Sequence, residues 1–130
     1  MIGYVMIGTN DLPRAVAFYD ELLALLGASR FMETDRFVAW RGPGEHDPGI
    51  GVSSPYDGKA ACVGNGMMVA LAASGPDQVK ALYDKALALG GSDEGPPGRR
   101  FGGFYAAYFR DLDGNKLNAF CMVPEGQSAD

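Results

Sequence analysis

The chain has 130 residues, 47% hydrophobic and 21% charged, which suits one soluble globular domain with a real core. Eleven Lys and Arg against sixteen Asp and Glu leave a net charge of −5, and Arg99-Arg100 is the only adjacent basic pair, so nucleic acid is not an expected partner. Two cysteines without a CxxC, a single histidine and no apolar run of about 18 residues argue against a disulfide framework, a multi-imidazole site and a membrane-spanning helix.

The N-terminal stretch "MIGYVMIGTND" lacks the basic segment, apolar core and cleavage site of a secretory signal, so the expected location is cytoplasmic. Residues 2–8 read as a strand. A helix is expected from about 11 to 26, with Leu12, Ala15, Val16, Tyr19, Leu22, Leu23 and Leu26 at helical spacing. Asn10 or Asp11 caps it, Pro13 lies in its first turn and Gly27 ends it. Three short strands follow at 30–33, 36–41 and 49–53, the last two separated by the loop "GPGEHDPG". That loop carries the lone His46, read as a solvent-exposed side chain rather than a general base.

A second series starts with a strand at 66–73. Ser74 to Asp77 has the S-x-x-D pattern of a capping box, and a helix runs from about 76 to 89 with Val79, Leu82, Tyr83, Ala86 and Leu87 on its apolar face. A weak strand near 92–94 precedes the loop "GPPGRRFGG". Strands at 104–110 and 116–123 follow, joined by "DLDGN", and the tail "PEGQSAD" is expected to fray. Asp111, Asp113 and Asn115 imitate the start of a calcium loop, but Lys116 and Met122 occupy its sixth and twelfth positions, so a tight turn is the better reading.

The two series are copies. "AFYDELLALLG" (17–27) aligns without gaps on "ALYDKALALGG" (81–91) at an offset of 64, and "YVMI" (4–7) then falls on "MVAL" (68–71). The fold class is therefore α+β, two βαβββ modules in one domain, module one at about 1–63 and module two at about 64–124. Strand alternation sends Val5, Ile7, Val69, Leu71, Leu117, Ala119 and Cys121 toward the helices. The opposite faces then carry Tyr4, Met6, Met68, Ala70, Asn118, Phe120 and Met122, an uncharged surface suited to a cavity or a subunit contact.

With these residues in view, the chain resembles the vicinal oxygen chelate superfamily, which includes glyoxalase I, extradiol dioxygenases and bleomycin-resistance proteins. The resemblance rests on the paired modules, "NDLPRAVAFYDELLALLG", its repeat, and the terminal "YAAYFRDLDGNKLNAF". It implies curved mixed sheets enclosing a cavity. In metal-using relatives the first and last strand of each module supply ligands, commonly His or Gln and Glu. Carried onto this chain, those positions are Tyr4, Gly51, Met68 and Asn118, with "DGNKLN" where the family has "DGNKIE". None is a usual ligand for a hard or borderline divalent ion. The expectation is a cavity without metal or other cofactor that binds a small, partly apolar or aromatic molecule. Its candidate contacts are Tyr4, Met6, Trp40, Met68, Arg100, Tyr108, Asn118 and Phe120. Trp40 is weighed there against core packing, Arg100 against a solvated surface role, and Tyr105 against Tyr108, since the two tyrosines lie on opposite faces of one strand. The alternatives are a glyoxalase- or dioxygenase-type enzyme, metal-dependent or cofactor-free, and a non-catalytic interaction subunit. A homodimer is common in the resembled class and is carried as an expectation of partner.

Overall fold

The computed structural model describes residues 1–124, 126 and 127. The chain divides into two compact units, Met1–Gly64 and Asn65–Asp130. No helix of the described residues is long and apolar enough to cross a membrane.

The first unit is built from β1 (Tyr4–Gly8), α1 (Leu12–Ala24), β2 (Ser29–Glu33), β3 (Phe37–Arg41) and β4 (Gly49–Ser53). Its sheet has the order β1-β4-β3-β2, with β1 parallel to β4 and the other neighbours antiparallel. The parallel pair requires a crossover, and α1 with the following hairpin supplies it. Asp11 caps α1, its Oδ1 accepting from the Arg14 N–H at 3.1 Å, with Pro13 in the first turn. Asn10 instead reaches along the chain, its amide holding Ala61 through both that residue's N–H (2.7 Å) and its carbonyl (3.2 Å).

One face of α1 is buried through Ala15, Phe18, Tyr19, Leu22 and Leu23, the i, i+3, i+4, i+7, i+8 pattern of a helix lying on a sheet. Phe18 went unread in the sequence, yet it is 2% exposed and edges onto Tyr19 at 5.0 Å. Burying each such side chain contributes about 1.5–3 kcal/mol. A polar tie sits beside this core. The Trp40 indole N–H donates to Asp20 at 2.8 Å, and the Arg30 guanidinium donates Nε–H to the same carboxylate at 2.9 Å. Arg30 beside it holds the Asp20 carboxyl below its ordinary value, with the Trp40 donor adding to the effect against partial desolvation.

The second unit repeats the plan with β5 (Val69–Ala72), α2 (Pro76–Ala88), β6 (Ser92–Arg99), β7 (Phe104–Arg110) and β8 (Lys116–Met122), in the order β5-β8-β7-β6. The register repeats as well: Met6 pairs with Gly51, and Ala70 pairs with Asn118. Met6 and Ala70 are 64 residues apart, so Gly51 and Asn118 occupy equivalent places in the two sheets. Val79, Leu82 and Ala86 bury the inner face of α2. Tyr83 ties this helix to β6 by donating its hydroxyl to Asp93 at 2.9 Å, and burial together with that carboxylate raises the phenol's pKa.

Three expectations change. The capping box at Ser74 is absent: the cap position is Gly75, Pro76 opens the helix, and Gln78 Oε1 reaches back to accept from the Ser74 N–H at 2.8 Å. The third residue of the helix is Gln78 rather than Asp77, and the glycine at the cap has no side chain to complete the reciprocal bond. The loop after 94 is also largely strand, because β6 runs to Arg99. Pro96 and Pro97 are tolerated since β6 is an edge strand whose register slips on either side of Gly95. Finally, the outer strands are shorter than read: β1 starts at Tyr4 and β5 at Val69. The tail expected to fray includes Glu125, Ser128, Ala129 and Asp130, which lie outside the described residues.

Candidate functional site

Each sheet has a face turned away from its helix. In the second unit this face is built by alternation along β7 and β8. Tyr108 pairs with Asn118, Ala106 with Phe120, Phe104 with Met122 and Arg110 with Lys116. Tyr105 pairs with Cys121 on the helix side, so Tyr108 is the tyrosine of the open face. Burial pushes the Cys121 thiol upward, as befits an inert core residue.

Asn118 stands at the centre of this face, between Lys116 and Phe120 on its own strand and between Tyr108 and Ala70 across it. It is 0% exposed, and among the described residues neither its Oδ1 nor its Nδ2 has a hydrogen-bond partner. Buried amides are almost always paired, because leaving one unpaired costs about 1–3 kcal/mol. Next to it runs an aromatic stack: the Phe101 and Phe104 rings lie 5.2 Å apart at 10°, and Phe104 and Phe120 5.4 Å apart at 17°. On the other side the Tyr108 ring has two cations over it, Arg100 at 5.4 Å and Lys116 at 5.6 Å.

The placement of Arg100 explains the glycines of β6. A Cβ on Gly98 would come within 2.9 Å of Arg100 Nη1, and one on Gly95 would meet both Tyr108 and Arg100 Nη2. The two bare positions leave a floor on which the guanidinium lies, donating to the Pro96 carbonyl at 2.5 Å. Arg110 is ion-paired with Glu94, which lowers the glutamate pKa, and Arg110 also donates to the Gly114 carbonyl at 2.8 Å.

The equivalent face of the first unit carries Tyr4 (51% exposed) and Met6 (37% exposed). Met6 lies over β4, its Sδ 2.8 Å from where a Cβ of Gly51 would sit. A side chain at position 51 would therefore require Met6 to move aside. Met68 precedes β5 and is 43% exposed. Trp40 corrects the expected set. It is 2% exposed, on the helix side of its sheet, with Tyr19 at 5.8 Å and its N–H taken by Asp20, so it is core and not a ligand contact.

The four positions that the resemblance marks for metal ligands do not suit a divalent ion. The first unit offers a phenol and a bare backbone at Tyr4 and Gly51, and the second a thioether and a neutral amide at Met68 and Asn118. No cluster of three or more His, Cys, Asp or Glu able to hold a metal occurs among the described residues. The "DLDGN" carboxylate is engaged by its own turn: Asp111 Oδ1 accepts from the N–H groups of Asp113 and Asn115, each at 2.9 Å. His46 and Cys62 are exposed.

Of the expected contacts, the second unit brings Arg100, Tyr108, Asn118 and Phe120 onto one face. Lys116, Phe101 and Phe104 belong with them and escaped the sequence reading. Lys116 and Phe104 were readable, since each shares strand parity with a residue already placed on that face. Phe101 lies outside any strand, and only its stacking reveals it.

The profile of the "Glyoxalase/Bleomycin resistance protein/Dioxygenase superfamily" matches residues 1–119. No curated protein matches the chain. Among solved structures, a glyoxalase/bleomycin resistance protein from Albidiferax ferrireducens T118 is 38% identical, with a TM-score of 0.84 over 92% of this chain and 97% of that one. A glyoxalase/bleomycin resistance protein/dioxygenase family enzyme from Burkholderia phytofirmans PsJN is 17% identical, with a TM-score of 0.74 over 93% and 98%. A glyoxalase-related enzyme from Fulvimarina pelagi is 19% identical, with a TM-score of 0.73 over 92% and 86%; these last two share the fold.

Proposed function

The chain belongs to the glyoxalase/bleomycin resistance protein/dioxygenase superfamily, and within that family we propose that it binds a small, flat, partly aromatic molecule on the open face of the second unit, without a divalent metal. The observation that carries this reading is Asn118, an amide buried to 0% exposure with both polar atoms unpaired. Such a group calls for an explanation, and a bound ligand that completes it is the one the surrounding aromatic face favours. The amide offers one acceptor and two donors, so its complement is a ligand group with a donor beside an acceptor, such as a primary amide or a lactam. The Phe101, Phe104 and Phe120 rings supply a flat apolar wall, and Tyr108 supplies another aromatic surface. To reach the amide, the ligand displaces side chains that now cover it.

Glyoxalase- or dioxygenase-type chemistry with a metal is the alternative within the family. That chemistry uses an ion to polarise a carbonyl or activate oxygen-bearing ligands, and Tyr4, Gly51, Met68 and Asn118 do not form a donor set for one.

The test is calorimetric titration of the purified protein with 2-naphthamide, a neutral planar probe, with and without EDTA. Saturable binding that is unchanged by the chelator and lost in Asn118→Leu supports the proposal. Binding that EDTA abolishes, or no binding up to the solubility limit of the probe, overturns it.

A further inference from the structure

We infer that the ligand of this face is an anion: a planar aromatic carboxylate whose charged end is received by Arg100 and Lys116 beside Tyr108. The inference rests on the binding reading above and adds the charge class of the ligand. The whole chain is acidic, at −5. Its charges are nevertheless sorted. The open face of the second sheet carries Arg100, Arg110 and Lys116 against Glu94 as its acidic partner. Glu94 is ion-paired with Arg110, whose guanidinium also holds the Gly114 carbonyl, and its carboxylate is attracted more weakly to Lys116. Arg100 and Lys116 lie over the same ring, at 5.4 and 5.6 Å from its centre, although like charges repel. The tyrosine quadrupole offsets part of that repulsion. Arg100 reaches that ring from the β6 side and Lys116 from the β8 side, so a carboxylate received by either cation would offset more, through charge-assisted hydrogen bonds.

The position of Arg100 is built rather than incidental. Its backbone N–H donates to the Phe104 carbonyl at 2.8 Å, and its side chain lies back along β6 to the Pro96 carbonyl. This path is open because Gly98 and Gly95 have no Cβ. Lys116 is two residues before Asn118 on the same face of β8, one pleat repeat away, roughly 7 Å along the strand. A long basic side chain spans that distance, so a carboxylate that accepts from the Asn118 Nδ2–H stays within reach of the cations while its ring rests on the aromatic wall. The Phe101–Phe104–Phe120 stack lies on the other side of Asn118, where an apolar end of the ligand would rest.

The experiment pairs 2-naphthoate with 2-naphthamide, which have the same ring and differ in charge. The expected result is at least tenfold tighter binding of the carboxylate at low salt, with that advantage shrinking as salt is raised. Arg100→Gln and Lys116→Gln should each remove most of the carboxylate's advantage, read as the ratio of 2-naphthoate to 2-naphthamide affinity in the same variant. Both positions are solvent-accessible, and unaltered melting temperatures would show that the variants fold. Gly98→Ala, which keeps every charge but crowds Arg100 Nη1, should weaken 2-naphthoate alone. Equal affinity for the two probes overturns the anion inference and leaves the binding proposal standing. Binding of neither overturns both. A carboxylate preference that survives both Gln variants overturns the assignment to these two residues.

Discussion

Replacing Asn118 by leucine should make the protein more stable and end its ligand binding. The side chain is fully buried, and neither amide atom has a partner among the described residues. Removing an unsatisfied buried amide recovers about 1–3 kcal/mol. The leucine adds a favourable burial of about 1.5–3 kcal/mol, less up to about 1.5 kcal/mol for the imperfect match of two branched side chains of similar volume. A net gain of at least about 1 kcal/mol follows from these terms. At about 4 °C per kcal/mol for a domain of this size, the melting temperature should rise by at least about 4 °C. Differential scanning calorimetry measures the rise, and titration with 2-naphthamide measures the loss of binding in the same variant. The reasoning fails if the variant melts lower than the parent protein. That outcome would mean the amide is satisfied in solution, for instance by an ordered water, and is part of the structural core. It fails equally if the variant still binds the probe with parental affinity.

Three other outcomes follow from the same structure. Arg30 and Trp40 lower the Asp20 pKa in the folded state, so the carboxylate contributes stability that is present above its ordinary value of 3.8 and is lost as pH falls through the lowered one. The parent should therefore lose melting temperature in acid faster than Asp20→Asn, and its Trp40 emission should shift over the same range; parallel acid profiles would count against the tie. In Gly91→Ala the new Cβ would lie 2.6 Å from the Arg110 carbonyl oxygen and 2.8 Å from that of Ala86, both backbone, so a loss of about 1–3 kcal/mol is expected by urea unfolding. Thiol titration should show Cys62 reacting quickly and Cys121 only on unfolding, because the first is exposed and the second buried under α2 with a raised pKa; two fast thiols would contradict the β8 register.

Much of this was legible before folding. The offset-64 repeat carries the two βαβββ units because duplicated segments with the same periodicity face the same burial problem and solve it with the same strand order. Strand parity placed Tyr4, Met6, Asn118 and Phe120 away from the helices, since the side-chain period of two leaves only one alternative. Composition at four positions set the expectation of a site without a divalent ion, because ligand preference belongs to the side chain itself.

Other features required coordinates. The repeated Tyr-Asp pair looks identical in both helices, yet in the first Asp20 reaches across to Trp40 and Arg30, while in the second Tyr83 reaches to Asp93. Trp40 could be read onto either face, and its partner sits 20 residues earlier, beyond the reach of any local pattern. Arg100 looked like one of two loop arginines until β6 extended beneath it and the glycines opened a path to Tyr108. Most telling is Asn118: the sequence shows that an amide is present, but whether that amide is paired depends on every neighbour that the fold brings near it. Periodicity and residue chemistry are properties of short stretches and survive in the bare sequence. Contacts between distant residues, and the polar atoms they leave without partners, come into being only when the chain closes on itself.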